Sequence, residues 1–99
     1  MTVPQDRIRK EMGITHAEFF RNLSRALGGQ PHSVAGSEVR LEGPGRRVRI
    51  AVGPEGERRL SPIVRLPVTV VELNFEGYSA AERDAFVAVF DLAYFKGGG

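Results

Sequence analysis

The chain has 99 residues, no cysteine and a formal net charge of +2 at neutral pH. A chain of this length buries one core, so we expect a single domain spanning 1–99. The lack of cysteine excludes disulfides, thiolate metal sites, iron–sulfur clusters and cysteine nucleophiles, and no apolar run approaches the roughly 18 residues of a membrane span. The early charged residues argue against a signal peptide, and we expect a soluble, cytoplasmic protein without membrane contact.

The N-terminal part carries helix signals. Residues 3–12 predict a short first helix, within a segment 1–13 that we expect to be loosely ordered. Residues 15–18 form a capping box, in which two side chains satisfy backbone N–H groups at a helix start. This box predicts a helix over 16–27, ended by the two glycines that follow. The predicted buried stripe of this helix consists of Phe19, Phe20, Leu23, Ala26 and Leu27.

From Pro31 the apolar periodicity changes from helical to alternating, which is typical of strands. Turns are predicted at 36–37, 43–45 and 53–56, where glycine is frequent. The clearest strand covers 46–52, and its predicted inward residues are Val48, Ile50 and Val52. Prolines later in the chain are expected to interrupt regular pairing before the last strand; they are Pro62 and Pro67.

The last strand changes its apolar phase once. The apolar residues occupy first even-numbered and then odd-numbered positions: Leu66, Val68 and Val70, then Val71, Leu73 and Phe75. This change predicts a β-bulge at Val70 and Val71, with a segment buried on both faces as the alternative. We favour the bulge, because Glu72 and Asn74 need water.

A second capping box, at 79–82, predicts a final helix that starts at Ala80. Its predicted buried stripe consists of Phe86, Val89, Phe90 and Ala93. Three further apolar residues fall off that stripe: Val87, Tyr94 and Phe95. Surplus apolar surface of this kind favours a homodimer interface. The alternative is that the N-terminal helix covers these side chains within a monomer.

Together these elements predict an α+β fold. We expect a two-layer sandwich, with a four- or five-stranded antiparallel meander and the N-terminal and C-terminal helices on one face. Residues 97–99 are expected to form a flexible tail.

Arginine is concentrated in the middle of the chain, whereas the end is acidic. Residues 39–65 contain seven Arg against three Glu, and residues 66–99 contain five acidic against two basic side chains. Five arginines alternate with inward apolar residues and predict an anion- or nucleic-acid-binding sheet face: Arg40, Arg47, Arg49, Arg59 and Arg65. The interpretation that we favour is a solvated face whose arginines pair with Glu38, Glu42 and Glu57, because this face lacks the aromatic residues on which RNA bases stack.

Two resemblances point to nucleic acid. The order helix, strands, helix resembles that of double-stranded-RNA-binding domains, but residues 79–84 give the last helix an acidic start that repels phosphate. Residues 7–23 resemble a helix-turn-helix with Gly13 in the turn. They depart from it at Arg9, where a small residue is usual, and at Asn22, where an apolar residue is usual.

No constellation of residues predicts catalysis, a cofactor or a metal site. His16 and His32 lack further ligands at metal spacing. The C-terminal residues 97–99, all glycine, resemble the tails of ubiquitin-like sulfur carriers, which implies a carrier modified at its terminal glycine; a helix cap is the alternative.

The sequence therefore favours a small non-enzymatic protein-interaction module that self-associates through its C-terminal helix. The second hypothesis is a nucleic-acid or anion binder that uses the Arg-rich face. The third is the carrier.

Overall fold

The computed structural model describes residues 6–94 and has the predicted α+β architecture. The five strands are β1 (Arg7–Met12), β2 (Ser33–Ala35), β3 (Glu38–Gly43), β4 (Arg46–Arg59) and β5 (Arg65–Glu76). The three helices are α1 (His16–Arg21), α2 (Leu23–Ala26) and α3 (Ala80–Tyr94). The strands form one antiparallel sheet in the order β1-β5-β4-β3-β2. The predicted two-layer α+β sandwich with a five-stranded antiparallel sheet is confirmed.

β1 is an edge strand, where the sequence predicted a helix. It pairs with β5 from Arg7 opposite Asn74 to Met12 opposite Thr69. Its six residues alternate between exposed and half-buried, a period of two that the helical interpretation missed. The helix predicted over 3–12 is therefore wrong, and the helix-turn-helix resemblance loses its first helix.

The helices cover one face of the sheet and enclose one core. The buried side chains that form it are Ile14, Phe19, Leu23, Ala26, Leu27, Val39, Leu41, Val48, Ile50, Val52, Val71, Leu73, Phe75, Phe86 and Phe90. Thr69 is also buried, and its hydroxyl donates a hydrogen bond to the Ile14 carbonyl at 2.8 Å. A partnered hydroxyl is tolerated in an apolar core, because it is not left unsatisfied.

The first predicted capping box is present, but the helix behind it is broken. Thr15 and Glu18 accept each other's backbone N–H groups at 3.0 and 3.1 Å. The predicted helix over 16–27 is divided into α1 and α2 at Asn22. The Asn22 side chain donates to the Glu18 carbonyl at 3.0 Å, and this bond competes with the helical backbone ladder.

The two short turns predicted early in the sheet are confirmed. β2 and β3 are joined across residues 36–37, with Ala35 opposite Glu38. β3 and β4 are joined across residues 44–45, with Gly43 opposite Arg46. The inward positions of β4 before residue 53 are also as predicted, since they are buried.

The register irregularity lies on β4 and not on β5. β5 runs through Val70 and Val71 without interruption, whereas on β4 Val52 faces Val71 and Glu55 faces Thr69. Three steps along β4 thus match two along β5, which defines a β-bulge. The bulge predicted on β5 is therefore wrong, and the phase change in that strand has another cause.

The β4–β5 hairpin is longer than predicted. β4 continues through residues 53–56, so the turn predicted there is wrong, and the chain reverses over 60–64. Pro67 lies within β5, opposite Glu57. β1 ends opposite Thr69, so β5 has a single neighbour at Pro67, and a residue without an N–H group is tolerated there.

Beyond the bulge the hairpin extends past the helices. No residue from 53–68 belongs to the core or packs against it, among the residues described. The start of α1 marks the boundary, because the His16 N–H donates to the Glu55 carboxylate at 2.8 Å and His16 Nε2 lies 2.7 Å from the Gly53 carbonyl oxygen. We call residues 55–68 the finger.

α3 begins at the predicted residue but buries a different face from the predicted one. The Ser79 N–H donates to the Glu82 carboxylate at 2.9 Å, and the Ser79 hydroxyl accepts from the Glu82 N–H at 3.1 Å. Phe86 and Phe90 are buried as predicted, but Val89 is 47% exposed. The assignment of Val89 to the buried stripe is wrong, because α3 packs on the core through Phe86, Val87 and Phe90, and Val89 lies at the edge of that side, next to the end of α2. None of the helices within residues 6–94 has the length and apolar character required to cross a bilayer.

Candidate functional site

Three of the five arginines singled out in the sequence lie on the sheet face opposite the helices, which we call the open face. Arg40 on β3 is directly opposite Arg49 on β4, and Arg47 is opposite Glu42. All three arginines are exposed. Part of the predicted cationic surface is therefore present.

Carboxylates on the same face compensate these charges. Arg40 hydrogen-bonds to Glu38 on its own strand, and this bond holds the pKa of the Glu38 carboxyl below its ordinary value. Arg47 Nε lies 3.4 Å from a Glu42 oxygen, and Arg47 Nη1 lies 4.0 Å from a Glu76 oxygen. Exposed pairs of this kind stabilise the fold little, but they reduce the positive potential that would attract an anion.

β1 contributes two further arginines that sequence reasoning missed, because the segment was predicted to be helical. Arg7 Nε lies 3.7 Å from a Glu72 oxygen, and Arg9 Nη1 lies 3.8 Å from a Glu11 oxygen. The signal that could have placed them is the alternation of Arg7, Arg9 and Glu11 with Ile8 and Met12, although Lys10 interrupts it. On the open face, arginines and glutamates are thus interleaved.

Arg59 and Arg65 lie apart from the other three arginines. They face each other at the end of the finger, beyond the bulge. Their positions share the parity of Thr69, which points to the helix side of the sheet. One extra residue in a strand moves every later side chain to the other face, so the five predicted arginines do not form one surface.

The turn of the finger is an ordered loop that presents aliphatic side chains to solvent. The Leu60 N–H donates to the Val64 carbonyl at 2.9 Å, and the Ser61 hydroxyl accepts from the N–H groups of Ile63 and Val64 at 3.3 and 3.1 Å. Ile63 is 90% exposed and Leu60 is 58% exposed. A loop fixed by its own hydrogen bonds loses little conformational entropy when it docks.

The end of the finger combines this apolar surface with positive charge. Between residues 58 and 66 the charged side chains are Arg58, Arg59 and Arg65, with no carboxylate among them. Leu66 is 45% exposed and begins the even-numbered apolar run of β5 that lies on the open face. The phase change in β5 therefore comes from an apolar strip outside the core.

The outer side of α3 presents a second exposed apolar surface, which we call the outer face. Leu92 is 73% exposed and Val89 is 47% exposed. Three exposed alanines continue the surface at helical spacing: Ala81, Ala85 and Ala88. Sequence reasoning missed this surface, because Val89 was assigned to the core and Leu92 was not considered.

A groove of about 310 Å³ opens beside the outer face, between the end of α2 and the first half of α3. Its apolar lining includes Leu27, Tyr78 and Val89. At its rim the Arg46 guanidinium lies 4.9 Å from the centre of the Tyr78 ring and 3.1 Å from a Glu82 oxygen. Because Val89 belongs to both, the groove and the outer face form one continuous surface.

Of the residues predicted to form a dimer interface, the two that the structure describes do not lie on the outer face. Val87 packs against the core. The Tyr94 ring stacks on Phe19 with centroids 5.3 Å apart, and its hydroxyl donates to the Phe19 carbonyl at 2.7 Å. Burial raises the pKa of the Tyr94 phenol above its ordinary value. Tyr94 therefore serves the packing of α1 against α3, while Phe95 lies outside the described residues, as do the terminal glycines.

Both histidine side chains lie within hydrogen-bond distance of backbone carbonyl oxygens. His16 contacts the bulge, and His32 Nδ1 lies 3.1 Å from the Gln30 carbonyl oxygen. Within residues 6–94 no group of three or more His, Asp or Glu side chains is placed to hold a metal ion.

Comparison of the chain with protein-family models, curated proteins and solved structures finds no match.

Proposed function

We propose that the protein is a non-enzymatic protein-binding module that self-associates through the outer face of α3. The observation that carries this proposal is the exposure of Val89 and Leu92 beside an apolar groove. Large aliphatic side chains on a helix that already buries its other side in the core favour contact with a further apolar surface.

Burial supplies the free energy for such contact. Full removal of a fully exposed valine or leucine side chain from water is worth roughly 1.5–3 kcal/mol before the cost of association is subtracted. Val89 and Leu92 gain a part of this, because they are 47% and 73% exposed in the monomer. Val89 and Leu92 lie three positions apart, so they are neighbours on the helix surface. The groove adds apolar walls against which a partner side chain can pack, and this arrangement resembles the central contact of many interfaces.

Sedimentation equilibrium tests the proposal. We expect the wild-type chain at tens of micromolar to have a mass above the monomer value of 10.9 kDa, and the mass to rise with concentration. Val89→Glu and Leu92→Glu should each restore the monomer mass, because a carboxylate in an apolar contact is costly to desolvate.

Val34→Glu is the matched control. Val34 is 48% exposed on the edge strand β2, whereas Val89 is 47% exposed on α3. The same change at equal exposure should leave the association intact. A wild-type mass of 10.9 kDa at every concentration would refute the proposal.

A further inference from the structure

Carboxylates border the outer face of α3 on both sides. On a helical projection, Asp84 and Asp91 lie beyond one edge of the apolar surface and Glu82 lies beyond the other. Arg83 is the single basic residue between Ala80 and Tyr94. The outer face is therefore an apolar surface with an acidic border.

The border carboxylates have cationic neighbours but stay exposed. Asp91 lies 3.0 Å from Lys10, and the Asp91 side chain is 51% exposed. Glu82 lies 3.1 Å from Arg46, and the Glu82 side chain is 50% exposed. The Asp84 side chain, near Arg83, is 73% exposed. Since a carboxylate has about four acceptor sites, each of these groups can accept from a further cation.

The acidic border argues against two outer faces packing on each other. Such a pair would bring Asp84 and Asp91 of one copy near Glu82 or the same residues of the other, and like charges in an interface are unfavourable. The cationic neighbours reduce the negative potential of this border, but a surface that is apolar at its centre and cationic around it still complements the outer face better than a second outer face does.

The end of the finger has this composition. Leu60 and Ile63 form its exposed apolar apex on a hydrogen-bonded loop. Three arginines surround the apex: Arg58, Arg59 and Arg65. Arg58 lies 2.9 Å from Glu11 and Arg65 lies 3.9 Å from Glu57, and all four of these side chains are about half exposed or more. Such exposed pairs exchange partners at little cost.

The finger is also free to reach another molecule. It extends beyond the start of α1, and no residue between 53 and 68 contributes to the core among the residues described. β5 alone has 12 residues, which corresponds to about 40 Å of strand. The longest dimension of the molecule is accordingly 49 Å.

We propose that the apex of the finger of one copy docks on the outer face of α3 of a second copy. This inference rests on the proposed self-association and adds the surface on the opposite side of the contact. Ile63 and Leu60 pack against Val89 and Leu92, and the arginines of the finger meet the border carboxylates. A two-fold arrangement forms this contact twice, because each copy supplies both surfaces.

A mixing experiment tests which surfaces meet. Ile63→Glu removes the apolar apex, and we expect the fold to be unchanged because Ile63 is 90% exposed. Val89→Glu removes the outer face. We expect each variant alone to sediment as a monomer, whereas an equimolar mixture associates, because one chain retains its apex and the other its outer face. The mixture should bind more weakly than wild type, since one contact replaces two.

Three outcomes would overturn the inference. If Ile63→Glu associates like wild type while Val89→Glu is monomeric, the outer face has another partner surface, and the proposed function survives alone. If both variants associate like wild type, both proposals fail. If each is monomeric and the mixture is too, the apex and the outer face do not meet.

A vesicle-binding experiment tests whether the apex binds a membrane surface instead of a second copy of the chain. Vesicles of phosphatidylglycerol offer anionic headgroups and an apolar interior, to which arginines and aliphatic residues also bind. We expect no co-sedimentation of the wild-type chain with them. Co-sedimentation that Ile63→Glu abolishes, with an unchanged association state of that variant, would assign the finger to lipid and overturn the docking proposal.

Discussion

Ser79 and Glu82 satisfy each other's backbone N–H groups at the start of α3. Ser79→Ala removes one acceptor and should lower the free energy of unfolding by about 0.5–2 kcal/mol. Urea denaturation midpoints measure the change. Ser24→Ala is the control, because the Ser24 hydroxyl is exposed and has no hydrogen bond within residues 6–94. Equal midpoints for Ser79→Ala and wild type would contradict the prediction.

The same cap predicts a pH dependence. Hydrogen bonds from the backbone and side chain of Ser79, followed by the charge of Arg46, hold the pKa of Glu82 below its ordinary value of 4.5. A lowered folded-state pKa means that the stabilisation is present above pH 4.5 and is lost as the pH falls through the folded-state value. We therefore expect the difference in urea midpoint between wild type and Glu82→Gln to be largest near neutral pH and to shrink in acid. A difference that is independent of pH would contradict this.

Tyr94, which the sequence analysis assigned to a dimer interface, packs inside the monomer. Tyr94→Phe keeps the ring stacked on Phe19 but removes the hydrogen bond to the Phe19 carbonyl. We expect a loss of about 0.5–1.5 kcal/mol in unfolding free energy, with no change in the sedimentation mass. Tyr78→Phe is the matched control, since the Tyr78 hydroxyl has no hydrogen bond to other described residues. A change in association without a change in stability would place Tyr94 in an interface after all.

Between elements, Gly77 allows the turn after β5 to touch the turn between β3 and β4. A Cβ atom at Gly77 would lie 2.1 Å from the Gly45 carbonyl oxygen, and Gly77 has a φ of +76°. Gly77→Ala therefore combines left-handed backbone strain of roughly 1–2 kcal/mol with a backbone clash. Gly36→Ala has the strain alone, since its φ is +62° and nothing lies within 4 Å.

We expect Gly77→Ala to lower the urea midpoint clearly more than Gly36→Ala does. Similar losses in the two variants would mean that the turns can separate without cost.

The bulge shows how one element decides the direction of many side chains. A single extra residue on β4 separates Arg59 and Arg65 from the arginines of the open face. These arginines do alternate with apolar residues in the sequence, but alternation predicts the sheet face of a side chain only up to the next bulge in the strand. The bulge contacts the start of α1 through His16, so a helix outside the sheet helps to fix this register.

At the scale of the whole molecule, we predict weak binding of nucleic acid, because glutamates lie among the arginines of the open face. We expect labelled RNA and DNA to bind weakly at low salt, with the same affinity for wild type and for Arg47→Ala combined with Arg49→Ala. The control pair is Arg59→Ala combined with Arg65→Ala, which lies off the open face. An affinity that falls only in the first double variant, together with a shallower dependence on salt, would establish a phosphate-binding face.

The helix starts, the short turns and the alternation before the bulge could be read from the sequence. Each depends on residues within about four positions of one another, such as Ser79 with Glu82 or Thr15 with Glu18. The fold class followed from the order of these elements. The composition also placed positive charge in the middle of the chain and negative charge at its end.

Only the tertiary structure decided which strand carries the bulge, that residues 7–12 form an edge strand, and which side of α3 meets the core. These choices depend on neighbours distant in sequence: β1 pairs with β5, and Tyr94 packs on Phe19. Both sides of α3 offer aliphatic residues, so periodicity alone could not choose between Val87 and Val89. Contacts with distant elements made that choice: Tyr94 stacks on Phe19 and Asp91 pairs with Lys10 of β1. With α3 in this rotation Val87 packs against the core, whereas Val89 and Leu92 stay exposed.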